Sequence, residues 1–161
     1  MNVAPAKTQG AAHLLAKAEE AVDAARQYLA AVTHATAALV LVEGRVDAAL
    51  GDRHQRQVHG LAWVATTTQA LAATLEWARR IEAVGRFGPG EQLVLKAGFT
   101  EYLGQLAGGI PMSQNEFARP TDFGLTHSAE ALLDVAWKFT DTDDAATVRE
   151  ALVRHILDGG A

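Results

Sequence analysis

Cysteine is absent from the 161 residues of this sequence. Its absence excludes disulfide bonds, thiolate zinc sites and cysteine nucleophiles. A chain without disulfides suits a reducing compartment, so we expect a cytoplasmic protein. Long apolar segments are missing as well: residues 1–7 carry no signal core, and the longest apolar run covers only residues 37–42. A bilayer span needs about 20 apolar residues, so we expect no membrane partner.

Aromatic and basic residues are also scarce. Aromatics make up 6% of the chain, and 14 Lys and Arg are outnumbered by 19 Asp and Glu, for a net charge of −5. A protein that neutralises nucleic-acid phosphates needs a basic surface, so nucleic acid is not an expected partner. Much of the 49% hydrophobic content is alanine, the strongest helix former and the smallest apolar side chain. The composition therefore favours long, closely packed helices.

Apolar residues recur at helical spacing along most of the chain. In the first segment Leu15, Ala18, Val22, Ala25 and Leu29 are three or four positions apart. The predicted helices cover residues 9–42, 52–84, 91–107, 128–139 and 144–157. Residues 85–90 contain three glycines and a proline, which predicts a tight turn that folds the third helix back against the second.

These elements predict an all-α fold, an elongated bundle with two long antiparallel helices and shorter C-terminal helices. The expected organisation is a flexible N-terminus at residues 1–8, one helical domain at 9–158, and a flexible end or linker at 159–161. Asp52 is the expected N-cap of the second helix. Residues 113–116 resemble a capping box that would begin a short helical turn. Trp63 and Trp77 lie on one helix ridge and are expected to be buried, within the bundle or under a partner.

The sequence offers no set of residues typical of an active site. His54 and His59 are five positions apart, which does not match the i, i+4 spacing of a helical zinc site. His59 is expected to be a buried histidine with one hydrogen-bond partner. Glu101 could be a base beside an aromatic residue, but it fits a surface position better. No nucleophile elbow or phosphate-binding loop is present, so we expect no catalytic, cofactor-binding or metal-binding residue in this chain.

The most distinctive stretch is residues 101–124, which combine glycines, a proline and an Ile-Pro-Met group between charged flanks. Loops of this kind often carry function on a rigid scaffold, so we predict a contact surface with exposed Ile, Pro and Met side chains. A connector packed on the chain's own core is the other reading. The candidate contact residues are Gly108, Gly109, Ile110, Pro111, Met112, Ser113, Gln114, Glu116 and Arg119. Arg119 could bind a carboxylate through both arms of its guanidinium, or it could cap the preceding turn.

Three motifs carry a resemblance to a known family. They are HGLAWVATTTQAL at residues 59–71, EWARRIEAVGRFG at 76–88 and EYLGQLAGGIPMSQNEFARP at 101–120. Together they resemble the N-terminal helical extension of bacterial acyl-CoA dehydrogenases of the methylsuccinyl-CoA dehydrogenase type. The resemblance covers roughly residues 54–124, with looser similarity on either side.

The resemblance implies a partner that these 161 residues do not contain. Enzymes of that family have a flavoprotein core that binds FAD and CoA esters and removes the α-proton with a glutamate. They oxidise methylsuccinyl-CoA to mesaconyl-CoA in the ethylmalonyl-CoA pathway. We expect the flavoprotein core to belong to the same chain or to a separate one, and we assign neither its glutamate nor its FAD contacts here.

The expected function is therefore that of an accessory module, which packs on a flavoprotein core, shapes subunit contacts or covers substrate access. Self-association into a homo-oligomer is also open. The alternative is a stand-alone helical bundle that binds a small apolar ligand or a partner helix in a groove between its helices. The two readings differ in whether the isolated module needs a dehydrogenase partner.

Overall fold

The computed structural model describes residues 5–140 and 145–159. The predicted flexible ends fall partly outside these ranges, at residues 1–4 and 160–161, while residues 5–8 belong to the first helix. The helices are α1 Pro5–Val40, α2 Ala48–Arg53, α3 Gln55–Ala83, α4 Pro89–Gly108, α5 Thr126–Thr140 and α6 Ala145–Leu157. Short strands form two hairpins, β1 Leu41–Val42 with β2 Arg45–Val46 and β3 Ile110–Ser113 with β4 Glu116–Ala118. The predicted all-α fold is confirmed.

Helices α1 and α3 pack along their lengths and form the long spine of the bundle. They run antiparallel: the β1–β2 hairpin and α2 join the end of α1 to the start of α3, and Glu19, in the first half of α1, forms a 2.6 Å ion pair with Arg79 near the end of α3. The buried face of α1 is rich in alanine, which lets the two backbones approach closely. The buried seam contains Ala18, Ala21, Val22, Ala25 and Val32 from α1 and Val64, Leu71, Leu75 and Ala78 from α3.

The connection from α1 to α3 differs from the predicted single break. Glu43 and Gly44 have φ angles of 49° and 76°, which form the two-residue turn of the β1–β2 hairpin. Asp47 then caps α2, because its Oδ1 accepts a hydrogen bond from the Leu50 backbone N at 2.9 Å. The prediction that Asp52 is the N-cap is therefore wrong. The helical segment begins earlier, with Asp47 as its N-cap, directly after the hairpin.

The predicted turn between α3 and α4 is confirmed, although its last two residues belong to α4. Gly85 has a φ of 70°, and the backbone N of Arg86 donates to the Ile81 carbonyl at 2.8 Å, which ends α3. Pro89 occupies the first position of α4, where its missing N–H has no helical partner to lose. Glu91 reaches back so that its Oε2 accepts from the Gly88 backbone N at 2.9 Å.

Helices α4, α5 and α6 form the second part of the bundle. On α4 the buried residues include Leu95, Phe99 and Leu103. The Phe99 ring stacks on Phe139 of α5, with 5.2 Å between ring centroids. Val148 anchors α6, which packs on α4. Helix α4 packs against α3 and α6, while α5 lies against both α1 and α4.

A β-hairpin occupies the stretch in which a helical turn was predicted. Ile110 pairs with Ala118 and Ser113 with Glu116, with an irregularity between them. Asn115 has a φ of 74°, a conformation that asparagine tolerates at a turn. Residues 113–116 therefore form a two-residue β-turn with Asn115 in it. The predicted capping box at these residues is wrong. A 3₁₀ turn, Pro120–Phe123, follows the hairpin and leads to α5.

Tyr28 is buried on α1, and its hydroxyl has no hydrogen-bond partner among the described residues. Burial raises the pKa of Tyr28 well above its usual range, and the negative charge of Asp122 adds to the shift. The phenol is therefore neutral at physiological pH and is not a proton acceptor. A buried donor without a partner lowers the stability of the folded state.

Replacing Ile110 with alanine should strongly destabilise the fold. Ile110 is 1% exposed and belongs to the hydrophobic core. Loss of a buried isoleucine side chain costs about 2–5 kcal/mol, which urea unfolding would measure. Val153→Ala is the control, because Val153 is 54% exposed on α6 and should change stability by less than about 0.5 kcal/mol. Similar small effects for both variants would show that the hairpin is not part of the core.

Replacing Tyr28 with phenylalanine should leave stability unchanged or raise it, because the substitution removes an unpaired buried hydroxyl. The advantage over wild type should grow above pH of about 10, where the unfolded tyrosine ionises but the folded one does not. Tyr102→Phe is the control, since Tyr102 is exposed. A loss of stability in Tyr28→Phe alone would indicate that the hydroxyl has a stabilising partner.

Candidate interaction surface

The segment predicted as a contact surface is partly buried in the structure. Ile110 faces the hydrophobic core, and Met112 is partly buried against it. The expectation that the Ile-Pro-Met group is exposed holds only for Pro111. The reason is the strand periodicity of the hairpin, which turns alternate side chains to opposite faces. Part of the segment is thus a packed connector, as the second reading proposed.

The other candidate residues form the solvent side of the hairpin. Gly108 ends α4, and Gly109 turns the chain with a φ of 129°, which an L side chain rarely adopts. Pro111, Ser113, Gln114, Glu116 and Arg119 are exposed. The Ser113 hydroxyl donates to Glu116 Oε2 at 3.2 Å across the hairpin. The predicted contact residues thus come together at one end of α4, with a polar tip.

Arg119 is held in place by its neighbours rather than by an ion pair. Its guanidinium carbon lies 4.7 Å from the centroid of the Phe117 ring. Its side-chain stem lies over Gly109, where an added Cβ would come within 2.9 Å of Arg119 Cγ. No carboxylate in the described part of the chain forms an ion pair with this guanidinium. The arrangement leaves its N–H donors open to an external carboxylate or phosphate.

Asp122 connects the base of the hairpin to α3, which the sequence did not reveal. Its Oδ2 accepts from the Arg119 backbone N at 2.8 Å. Arg56 on α3 donates to the Phe117 carbonyl at 3.2 Å and pairs with Asp122 at 3.4 Å. The available signal was an acidic residue three positions after Arg119 and two after Pro120, which is the N3 position of a capping box.

Gly60 allows the 3₁₀ turn to lie directly on α3. A Cβ at Gly60 would meet Phe123 Cζ at 2.8 Å and Ala118 Cβ at 3.2 Å. Gly60 therefore has a packing role that explains a glycine inside a helix. The signal in the sequence was that glycine within a regular helical pattern, directly after His59. Hairpin and turn are held against α3 by this contact and by Asp122.

The histidine and tryptophan expectations are only partly met. His59 has one partner, since the Trp63 indole N–H donates to its Nε2 at 3.0 Å. His59 is nevertheless exposed, so the expectation of a buried histidine is wrong. Trp63 is 37% exposed and therefore not inside the bundle, whereas Trp77 is partly buried against the core. The ridge is thus more exposed at Trp63 than at Trp77.

The groove between α1 and α3 does not resemble an apolar ligand site. It has a volume of about 260 Å³ and is lined by Glu19, Asp23, Arg26, Glu76 and Arg79 among others. These charges largely pair with each other or with neighbours, as in the 3.3 Å contact between Arg26 and Asp23. Small-molecule sites are usually larger and mostly apolar. The groove therefore gives no support to the small-ligand alternative.

The surface position expected for Glu101 is also observed. Its carboxylate forms an ion pair with Arg149 of α6 at 3.2 Å and accepts from Gln105 at 2.9 Å. Within residues 5–140 and 145–159, no group of three or more His, Cys, Asp or Glu side chains is placed to hold a metal ion. Over the same ranges, no helix is both long and apolar enough to cross a membrane.

Comparison with known proteins yields one informative relationship. No protein-family model matches the chain. A curated relative, the (2S)-methylsuccinyl-CoA dehydrogenase of Cereibacter sphaeroides, is 44% identical over 95 residues. The matched stretch makes up 58% of this chain but only 17% of the relative. The resemblance inferred from the three motifs is thus confirmed: the chain is related to the methylsuccinyl-CoA dehydrogenase family, through a segment that is a small part of that enzyme.

Proposed function

We propose that this chain acts as an accessory helical module of an FAD-dependent acyl-CoA dehydrogenase of the methylsuccinyl-CoA dehydrogenase type. The observation that carries the proposal is the 44% identity over 95 residues to a segment that forms 17% of such an enzyme. FAD, the CoA ester and the catalytic base would belong to the flavoprotein core, in the same or a separate chain. Oxidation of methylsuccinyl-CoA to mesaconyl-CoA, the ethylmalonyl-CoA pathway and a cytoplasmic location belong to the same proposal.

The module would pack on the flavoprotein core through the solvent side of residues 108–119. The hairpin suits this role because Asp122 and Arg56 fasten its base to α3, so little freedom is lost when it binds. Arg119 is pre-positioned between Phe117 and Gly109 and can meet a carboxylate on the partner. The buried Ile110 would support this surface from below rather than contact the partner.

A stand-alone bundle is the weaker alternative. To bind a small apolar ligand it would require a cavity, and three grooves among the described residues measure about 220–260 Å³. Ligand pockets typically enclose about 300–1,000 Å³. The bundle's sequence relationship to one segment of a dehydrogenase favours a partner of that kind over an independent ligand.

The proposal predicts that the chain binds the flavoprotein core of the relative. The Cereibacter sphaeroides enzyme without its matched segment would be purified with FAD bound, and binding would be measured by sedimentation velocity. The relative's own excised segment is the positive control. We expect the wild-type chain to bind and Arg119→Glu to bind clearly more weakly. The charge reversal would place a carboxylate opposite the carboxylate that is expected on the partner.

Arg86→Glu is the matched control, because Arg86 is exposed and makes no ion pair with a described residue. It should bind as wild type does. If the relative's own segment binds the flavoprotein core and this chain does not, the proposed function is wrong. Equal weakening by both substitutions would show a general charge effect and remove the role assigned to Arg119.

A further inference from the structure

A second surface, the α4–α5 groove, lies beside the hairpin and is largely apolar. It has a volume of about 220 Å³, and its lining includes Thr100, Gly104, Ala107, Gly108, Leu133 and Trp137. Leu133 is 37% exposed and Trp137 is 70% exposed. Tryptophan is enriched among the residues that contribute most to protein interfaces.

Glycines form the α4 side of the groove without a packing role inside the described chain. Gly104 and Gly108 are one helical turn apart, and both are exposed. A Cβ added to either glycine would meet no described atom within 4 Å. Glycine inside a helix costs about 1 kcal/mol relative to alanine, so Gly104 weakens α4 unless its open surface is used. Gly60 shows the contrast, because Phe123 fills the space beside it.

The two sides of the groove have matching periodicity. Leu133 and Trp137 are four positions apart on α5, as Gly104 and Gly108 are on α4. Residues at this spacing lie above one another on a helix face. The groove is thus a short channel with a flat glycine wall and an aromatic wall. Its volume is below that of usual small-molecule sites, but it can receive apolar side chains from another protein surface.

We propose that the α4–α5 groove is where the flavoprotein core docks, with apolar side chains of the flavoprotein core lying over Gly104 and Gly108 and against Trp137. This inference rests on the proposed function. The relative supports this occupant, because the matched segment is only 17% of its length and the rest of that enzyme lies outside the match. Position supports it as well, since Gly108 belongs both to the groove and to the contact segment 108–119. Groove and hairpin then form one continuous docking face.

The charged groove between α1 and α3 does not compete for this role. Its side chains form ion pairs with each other, as between Arg79 and Glu19 at 2.6 Å, and an apolar partner would have to desolvate them. Docking on the α4–α5 groove removes mainly apolar surface from water, which favours association.

The test uses the same sedimentation assay with the FAD-loaded flavoprotein core of the relative. Trp137→Glu should weaken binding by at least about 30-fold, the effect expected for an interface residue of major importance. Val46→Glu is the matched control, because Val46 is a large apolar residue on β2, 70% exposed like Trp137, and lies outside the groove. It should bind within about 3-fold of wild type, the range of a substitution outside the interface.

A second variant separates loss of binding from loss of folding. Gly104→Leu puts a side chain into open space and replaces a weak helix former, so the module should be at least as stable as wild type. It should nevertheless block docking by filling the groove. Circular dichroism melting would check stability, and the binding assay would follow for the same preparation.

Each outcome decides between distinct explanations. If Trp137→Glu and Gly104→Leu bind as wild type while Arg119→Glu does not, docking uses only the hairpin and the groove proposal is wrong. If the wild-type chain fails to bind while the relative's own segment succeeds, the proposed function fails and the groove proposal with it. A wild-type dimer that Trp137→Glu dissociates, with unchanged binding to the flavoprotein core, would show that a second copy occupies the groove.

Discussion

Close contact between α1 and α3 is the constraint on which the rest of the structure depends. Aromatics make up only 6% of the chain, and alanine and valine supply most of the buried face of α1. Small side chains gain burial only when two helix backbones come near each other over a long distance. Helices α1 and α3 therefore have to be long. The shorter helices pack against the spine that α1 and α3 form. A helical pair built in this way provides a rigid support for the segment between α4 and α5.

That support explains why the hairpin has a fixed position. The Arg56–Asp122 pair and the Gly60–Phe123 contact join the hairpin and the 3₁₀ turn to α3. Ile110 adds a buried apolar anchor on the inner side. The outer side of the hairpin is polar and carries Arg119, whose guanidinium faces solvent over the Phe117 ring. A surface that is held by several contacts is suited to recognition, because it already has its binding conformation before the partner binds.

The helices could be predicted from the sequence because their signals are repeated over several turns. The apolar spacing in α1 and α3 and the glycine-rich turn before α4 fixed the order and packing of the bundle. The hairpin could not be predicted in the same way, because Ser113 to Glu116 satisfies the rule for a helix cap and for a tight β-turn alike. A left-handed Asn115 and the pairing of Ile110 with Ala118 decided between them, and that pairing is a tertiary effect. Ile110 is buried because of the hairpin. Since the hairpin was not predicted, the prediction that Ile110 is exposed was wrong as well.

The candidate surfaces, like the fold, could be predicted from the sequence only in part. The three motifs linked the chain to a dehydrogenase family, and the relative confirms that relationship. The contact role of residues 108–119 stays a proposal. Asp122 and Arg56 are 66 positions apart, and their contact depends on how α3 meets the 3₁₀ turn. The sequence carries a signal for the groove, since Leu133 and Trp137 lie off the inward face of α5 formed by Leu132, Ala136 and Phe139. Its significance appears only when the open side of Gly104 and Gly108 is placed beside it.

The central claim is that this chain does the work of the matched segment in a methylsuccinyl-CoA dehydrogenase. The most direct test replaces the 95-residue segment of the Cereibacter sphaeroides enzyme with the corresponding residues of this chain and measures oxidation of methylsuccinyl-CoA. The enzyme with the segment deleted and the unaltered enzyme are the references. The account predicts that the chimera retains FAD and oxidises the substrate at a rate comparable to the unaltered enzyme. A chimera that binds FAD but is no more active than the deletion variant would contradict it.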